Sequence, residues 1–141
     1  MAANAVLVDT GPIVAVIDSD DSYHGVCKQQ FGKLQGTLYT CWPAITEAAW
    51  LLRAFPEQVR SLLDSCQGSP YTILPLTASD VPGINGILAK YQDQGFQLAD
   101  AALMHLAERE GISTVFTIDQ SDFSLYRNQK GQPLFLLPVG E

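Results

Sequence analysis

A chain of 141 residues, 47% hydrophobic and 16% charged, can bury one full core and has no composition that leaves a long stretch disordered, so a single domain over 1–141 is expected. Asp and Glu outnumber Lys and Arg by 15 to 8, for a formal charge of −7, which argues against non-specific attachment to nucleic-acid phosphates. Cys27, Cys41 and Cys66 form no C-x-x-C pair, which excludes a disulfide framework and a thiolate zinc site; with no basic leader in Met1–Val8 and no apolar run of ~18 residues, a soluble cytoplasmic protein is expected.

Ala5–Val8 is a short apolar run ending at Asp9, and Thr10, Gly11 and Pro12 interrupt it before the apolar stretch Ile13–Ile17, which reads as strand, turn and short helix. Ser19, Asp20 and Asp21 supply caps for a second helix running to about Phe31. Leu38–Trp42 reads as a strand. Pro43 suits a first helical turn, Ala44–Ala54 continues as helix, and Pro56 starts another that ends near Gly68. Tyr71–Leu74 is the next strand. Thr77 and Asp80 make a capping-box pattern ahead of Ile84, Ile87, Leu88 and Tyr91 at helical spacing, with a stop near Gly95.

Leu98–Glu110 carries Ala99, Ala102, Leu103 and Leu106 on one stripe, and Gly111 stands where a left-handed cap belongs. Val115–Ile118 and Leu134–Leu137 are the last two strands, expected in direct succession. Strands alternating with helices predict an α/β fold, a mostly parallel central sheet with helices on both faces.

Sites on open parallel sheets form outside the carboxyl ends of the strands. Asp9 ends the first strand, Glu47 falls in the first turns after the second, Asp119 follows Val115–Ile118, and Asp100 lies near the start of the Leu98 helix. The neighbours of Glu47 three and four positions away are Pro43, Ala44, Trp50 and Leu51, which predicts burial of its carboxylate. A buried carboxylate needs a cation, a donor or a proton. Taken singly, each acid reads first as structural, Glu47 and Asp100 as partners of the helix dipole and Asp9 and Asp119 as turn or cap residues.

Taken together, four acids at equivalent ends of separate elements, with Arg53 the nearest base in sequence, call for a neutralising divalent cation. Oxygen-only ligands suit Mg²⁺ or Mn²⁺. Such an ion lowers the pKa of a bound water and stabilises charge on phosphate, so phosphodiester hydrolysis without a protein nucleophile is the reaction expected.

The stretches Val8-Asp9-Thr10-Gly11-Pro12, Thr46-Glu47-Ala48-Ala49, Leu98-Ala99-Asp100-Ala101 and Thr117-Ile118-Asp119 through Asp122-Phe123 resemble, in order and spacing, the acidic motifs of PIN-domain nucleases. The resemblance implies a PIN-like parallel sheet, a Mg²⁺ or Mn²⁺ site, and endonucleolytic cleavage of single-stranded RNA as in VapC-type toxins. It makes Asp9, Glu47, Asp100 and Asp119 the catalytic acids around the metal, with Thr10 and Asp122 supporting them. It further implies RNA as substrate, an antitoxin protein as partner, and a homodimer. Two departures stand out: Gln120 and Ser121 separate Asp119 from Asp122, and Gln97 stands where some relatives carry an acid. A noncatalytic PIN-like module that binds RNA or protein is the alternative from a different class.

His24 and His105 lack a serine or cysteine partner and read as solvated helix residues. Asp20 and Asp21 read first as caps, with a rim contact to substrate as the lesser reading. Arg53, Arg109, Arg127 and Lys130 could line an RNA path, but isolated bases read first as solvated side chains. Trp42, Trp50 and Phe55 are expected in the core or an interface rather than as base-stacking platforms.

Overall fold

The computed structural model describes residues 4–139, which form five strands and seven helices. The absence of a leader and the outer limits of the single domain fall partly on residues 1–3 and 140–141, outside those described. In chain order the elements are β1 (Val6–Val8), α1 (Thr10–Ile17), α2 (His24–Lys33), β2 (Leu38–Thr40), α3 (Trp42–Leu51) and α4 (Pro56–Asp64). There follow β3 (Tyr71–Ile73), α5 (Val81–Lys90), α6 (Leu98–Glu110), β4 (Thr114–Phe116), α7 (Gln120–Leu125) and β5 (Phe135–Leu137).

All neighbouring strands pair in parallel, in the order β3-β2-β1-β4-β5. The parallel α/β architecture expected from the alternation is therefore present. One expectation fails: α7 stands between β4 and β5, where two strands were expected in succession. Parallel neighbours need a crossover. The six residues of α7 are too short and polar to give a periodic signal of their own, and Phe123 alone among them is buried.

The register explains which side chains face which layer. On β1, Val6 and Val8 join Phe116 and Ile13 in one cluster, whereas Leu7 joins Val115, Leu103 and Leu106 in the other. Alternation along a three-residue strand thus feeds two cores, and the strand is buried on both faces. Helix α3 serves both, sending Ala44 to one and Ile45 and Ala48 to the other.

The local punctuation behaves as the sequence predicts at two points, but Thr10, Gly11 and Pro12, expected as a turn, form the first turn of α1, because Asp9 caps the helix directly and Pro12 is tolerated in a first turn. Thr77 and Asp80 form the capping box, and Gly111 closes α6 at a φ of 67°, a conformation glycine enters without steric cost. Among the described residues no helix is long and apolar enough to cross a membrane. The strand order reverses beside β1, since β2 and β3 extend to one side and β4 and β5 to the other. Crossover helices part there, and a crevice opens at the carboxyl ends of β1 and β4.

Candidate active site

Asp9 follows β1 directly and caps α1, its Oδ1 accepting the Thr10 N–H at 2.8 Å. Its Oδ2 accepts from the Thr117 hydroxyl at 2.8 Å, and its own N–H donates to the Phe116 carbonyl at 2.9 Å. Two strands therefore fix one carboxylate. Only 7% of Asp9 is exposed. Burial pushes its pKa from 3.8 up to about 7, opposed by the Thr117 and Thr10 hydrogen bonds and reinforced by the Asp100 and Glu47 charges.

Asp100 sits in the first turn of α6, where its Oδ2 accepts the Gln97 N–H at 3.1 Å in a reciprocal capping box. Burial raises it to about 6 against that hydrogen bond, with Asp122, Glu47 and Asp119 adding repulsion. Asp122, in the first turn of α7, is also raised, by burial and by Asp119, while a hydrogen bond shared with Asp100 holds it back. Asp119 precedes α7, is exposed, and accepts from the Ser121 hydroxyl at 2.7 Å.

Glu47 lies in the second turn of α3 and is half-buried, not buried as expected. The argument from its neighbours fails because Trp50 and Leu51 are themselves exposed; the buried stripe of α3 runs through Ala44, Ile45 and Ala48. Asp9 holds the buried carboxylate instead. Thr10 is buried as well, its hydroxyl donating to the Ala44 carbonyl at 3.1 Å, which ties α1 to α3 and leaves its backbone N–H for Asp9.

All four predicted acids, with Asp122 and Asp21, line one cavity of about 390 Å³, and no lysine, arginine or histidine lines it. The cap readings hold too, since Asp9 and Asp100 cap helices while facing the cavity. Six of the fifteen acids concentrate here, leaving nine to face eight bases over the rest of the chain. The surface outside the cavity is thus close to neutral, and the objection raised by the net charge shrinks to one place.

One residue gains a part that was not assigned to it, and a second keeps both of the readings it was given. Thr117 is fully buried and orients Asp9 across 108 positions; its signal was the threonine two residues before Asp119, a motif residue with no role assigned. Asp21 accepts the Tyr23 N–H at 2.8 Å, as a turn residue should, yet also lines the cavity. Neither histidine does. The His24 Nδ1 lies 2.6 Å from the Ala15 carbonyl, and the His105 Nε2 lies 2.8 Å from Asp80, which also accepts from Arg109 at 3.0 Å. Both rings are pins between elements rather than solvated side chains, and Arg109 is an ion-pair partner. The described cysteines are free thiols, and burial pushes Cys27 and Cys41 up to about 11, far from nucleophilic use at neutral pH.

Asp9, Glu47, Asp100 and Asp119 are the side chains that could hold a cation. Among the described residues no three such groups are closed tightly enough to grip one as they stand. Like charges that raise one another's pKa resist closer approach until something neutralises them.

A family model described as PIN domain matches residues 6–128. Ribonuclease VapC26 of Mycobacterium tuberculosis is 24% identical over 135 residues, which is 94% of this chain and 100% of that protein. The crystal structure of Mycobacterium tuberculosis VapC20, a sarcin-ricin loop cleaving toxin, superposes with a TM-score of 0.77 at 16% identity, covering 82% of this chain and 91% of that one. A toxin–antitoxin complex from Klebsiella pneumoniae superposes with a TM-score of 0.64 at 16% identity, covering 84% and 90%.

Proposed function

Because the chain belongs to the PIN domain family, we propose that it is a cytoplasmic, metal-dependent endoribonuclease that hydrolyses single-stranded RNA as the toxin of a toxin–antitoxin pair. The observation that carries this reading is the cavity in which Asp9, Glu47, Asp100 and Asp119 meet without a protein cation. VapC26 is a ribonuclease and VapC20 a sarcin-ricin loop cleaving toxin, and both support the substrate class. The Klebsiella complex supports an antitoxin protein as partner. Buried free thiols accord with a reducing compartment.

The donor set fits Mg²⁺ or Mn²⁺: it is all oxygen, and its most buried member, Asp9, keeps carboxylate lone pairs beyond the two hydrogen bonds it accepts. When bound, such an ion supplies an acidic water and charge stabilisation at the phosphate. The chain's own residues do the positioning. Thr117 and the Thr10 N–H fix the Asp9 carboxylate and favour its charged form. The Gln97 backbone does the same for Asp100, and Asp122 lines the cavity with it. Glu47, half-exposed, lines the same cavity.

The test is single-stranded RNA cleavage in EDTA, Ca²⁺, Mg²⁺ and Mn²⁺ at fixed ionic strength. Cleavage is expected with Mg²⁺ and Mn²⁺, binding with poor turnover in Ca²⁺, and neither in EDTA. Cleavage that survives thorough chelation overturns the mechanism.

A further inference from the structure

Of the eight lysines and arginines, Lys90, Arg109, Arg127 and Lys130 gather on the flank formed by α5, α6 and the turn after α7. Arg109 is neutralised there, paired with Asp80 at 3.0 Å and with Glu110 at 2.8 Å. The other three form no ion pair among the described residues. They line two adjoining cavities of about 200 and 330 Å³, which share Glu108, Tyr126 and Asn128. Glu108 is the one carboxylate in either lining, and its Oε1 accepts the Gln129 N–H at 3.1 Å. A positive cleft therefore stands on a surface otherwise close to neutral. Tyr91 orders it: its hydroxyl accepts the Arg127 N–H at 3.0 Å, and the Lys90 ammonium lies 5.4 Å from the centre of its ring. The Arg127 Nη1 donates to the Ser124 and Tyr126 carbonyls at 2.8 Å each, which fixes the guanidinium without neutralising it. Two segments lead from this cleft to the acids. Helix α7 carries Asp122 in the acidic cavity and is followed by Tyr126 and Arg127 in the cleft, a chain path from Asp122 to Arg127 of no more than roughly 12 Å. The turn after Tyr91 brings Gly95 to the cavity wall.

We propose that Lys90, Arg127 and Lys130 form a subsite for the phosphate backbone of single-stranded RNA, a few nucleotides from the phosphate held at the acids. The inference rests on the nuclease reading above and gives the substrate a second point of attachment. A cavity of carboxylates takes phosphate only through a cation, so the remaining charge attraction must come from elsewhere on the chain. Guanidinium and ammonium groups that no carboxylate neutralises supply it, and Arg127, already held by two carbonyls, loses little further freedom on binding. Single surface bases are usually just solvated, but these three share one cleft that the chain ties to the acids. Contacts to phosphate position a strand without reading its bases. An acidic protein segment is the competing occupant. Continued along α7 it would add its own carboxylates to a cavity that already holds six, whereas an RNA strand brings the phosphate that the cavity cleaves, which favours RNA.

The full chain is titrated in Ca²⁺ with a fluorescein-labelled single-stranded RNA oligomer over a range of salt concentrations, and binding is read by anisotropy. The Lys90→Gln/Arg127→Gln/Lys130→Gln protein should lose about 2 from the slope of log K against log salt, about 0.7 for each phosphate contact removed. A charge-matched control, Lys28→Gln/Lys33→Gln/Arg60→Gln, alters exposed bases on α2 and α4 and should keep the wild-type slope. With Mn²⁺, the KM of the triple variant for the oligomer should rise roughly 10-fold with kcat little changed, while cleavage of a dinucleotide, too short to reach the cleft, is unaffected. Should the triple variant fail to fold by circular dichroism, Lys130→Gln, in an exposed turn, should remove about 0.7 of the slope by itself. A wild-type slope and KM in the folded variant, an equal loss in the control, or equal damage to dinucleotide cleavage overturns the subsite. Oligoglutamate that binds the wild type but not the triple variant, with the RNA slope unmoved, assigns the cleft to an acidic protein segment and also overturns it. Salt-dependent RNA binding that falls in the triple variant, without cleavage by the wild type in Mn²⁺, would support the subsite and sink the nuclease reading, so the two failures are distinct.

Discussion

Replacing Asp9 by Asn tests whether the most buried carboxylate stores the repulsion that a cation relieves. The side chain keeps its shape, Oδ1 still accepts from the Thr10 N–H, and the Thr117 hydroxyl can turn to accept from the new amide. The folded pKa is about 7 against 3.8, so between those values the native state holds a proton that the unfolded chain releases. Stability without metal is therefore full below pH 4 and falls as pH rises through about 7. The gap corresponds to about 4 kcal/mol as an upper bound, and weaker hydrogen bonds to Asn reduce the net gain from substitution to about 2 kcal/mol at pH 8. At pH 4, where the carboxyl is neutral, the two proteins should differ little. The assay is urea unfolding in EDTA at both pH values, repeated with Mn²⁺, which at a hundredfold excess over Kd should stabilise the wild type by about 2.7 kcal/mol and leave the variant unmoved. An Asn variant less stable than wild type at pH 8 in EDTA, or a difference identical at both pH values, would refute the reasoning and make Asp9 a plain helix cap.

Asp100→Asn should abolish RNA cleavage while circular dichroism and unfolding remain close to wild type, and full activity with Mn²⁺ would place Asp100 outside the metal site. Glu47→Gln should leave stability without metal within about 0.5 kcal/mol or slightly raised, since the half-exposed carboxylate is hardly desolvated; a shrunken Mn²⁺-dependent stabilisation is the second readout, and a large loss of stability without metal would assign Glu47 a structural role. Thr117→Val removes a donor that holds the Asp9 pKa down, so the acidic limb of the pH–activity profile should move to higher pH with about 1 kcal/mol lost in stability; an unmoved limb would show that Thr117 does not tune Asp9.

The sequence by itself determined most of the elements, because their signals are local. Gly111 marks the end of α6, Thr77 and Asp80 announce a cap, and the Leu98–Glu110 stripe gives a helix of the observed bounds. It also brought Asp9, Glu47, Asp100 and Asp119 forward, since strand ends in a parallel sheet converge by topology and the acids stood at those ends. Helix α7 was illegible, for six residues with one buried side chain carry too little periodicity to announce themselves. What only the tertiary structure decided is how the acids differ. Local neighbours pointed to Glu47 as the buried carboxylate, but burial is a property of what packs from elsewhere. The exposed side of α3 leaves Trp42 and Trp50 beside a groove, whereas β4 comes alongside β1 and brings Thr117 to Asp9 from 108 positions away. Desolvation, and with it the pKa that sets the charge of the site, depends on those distant partners and is written in no window of the sequence.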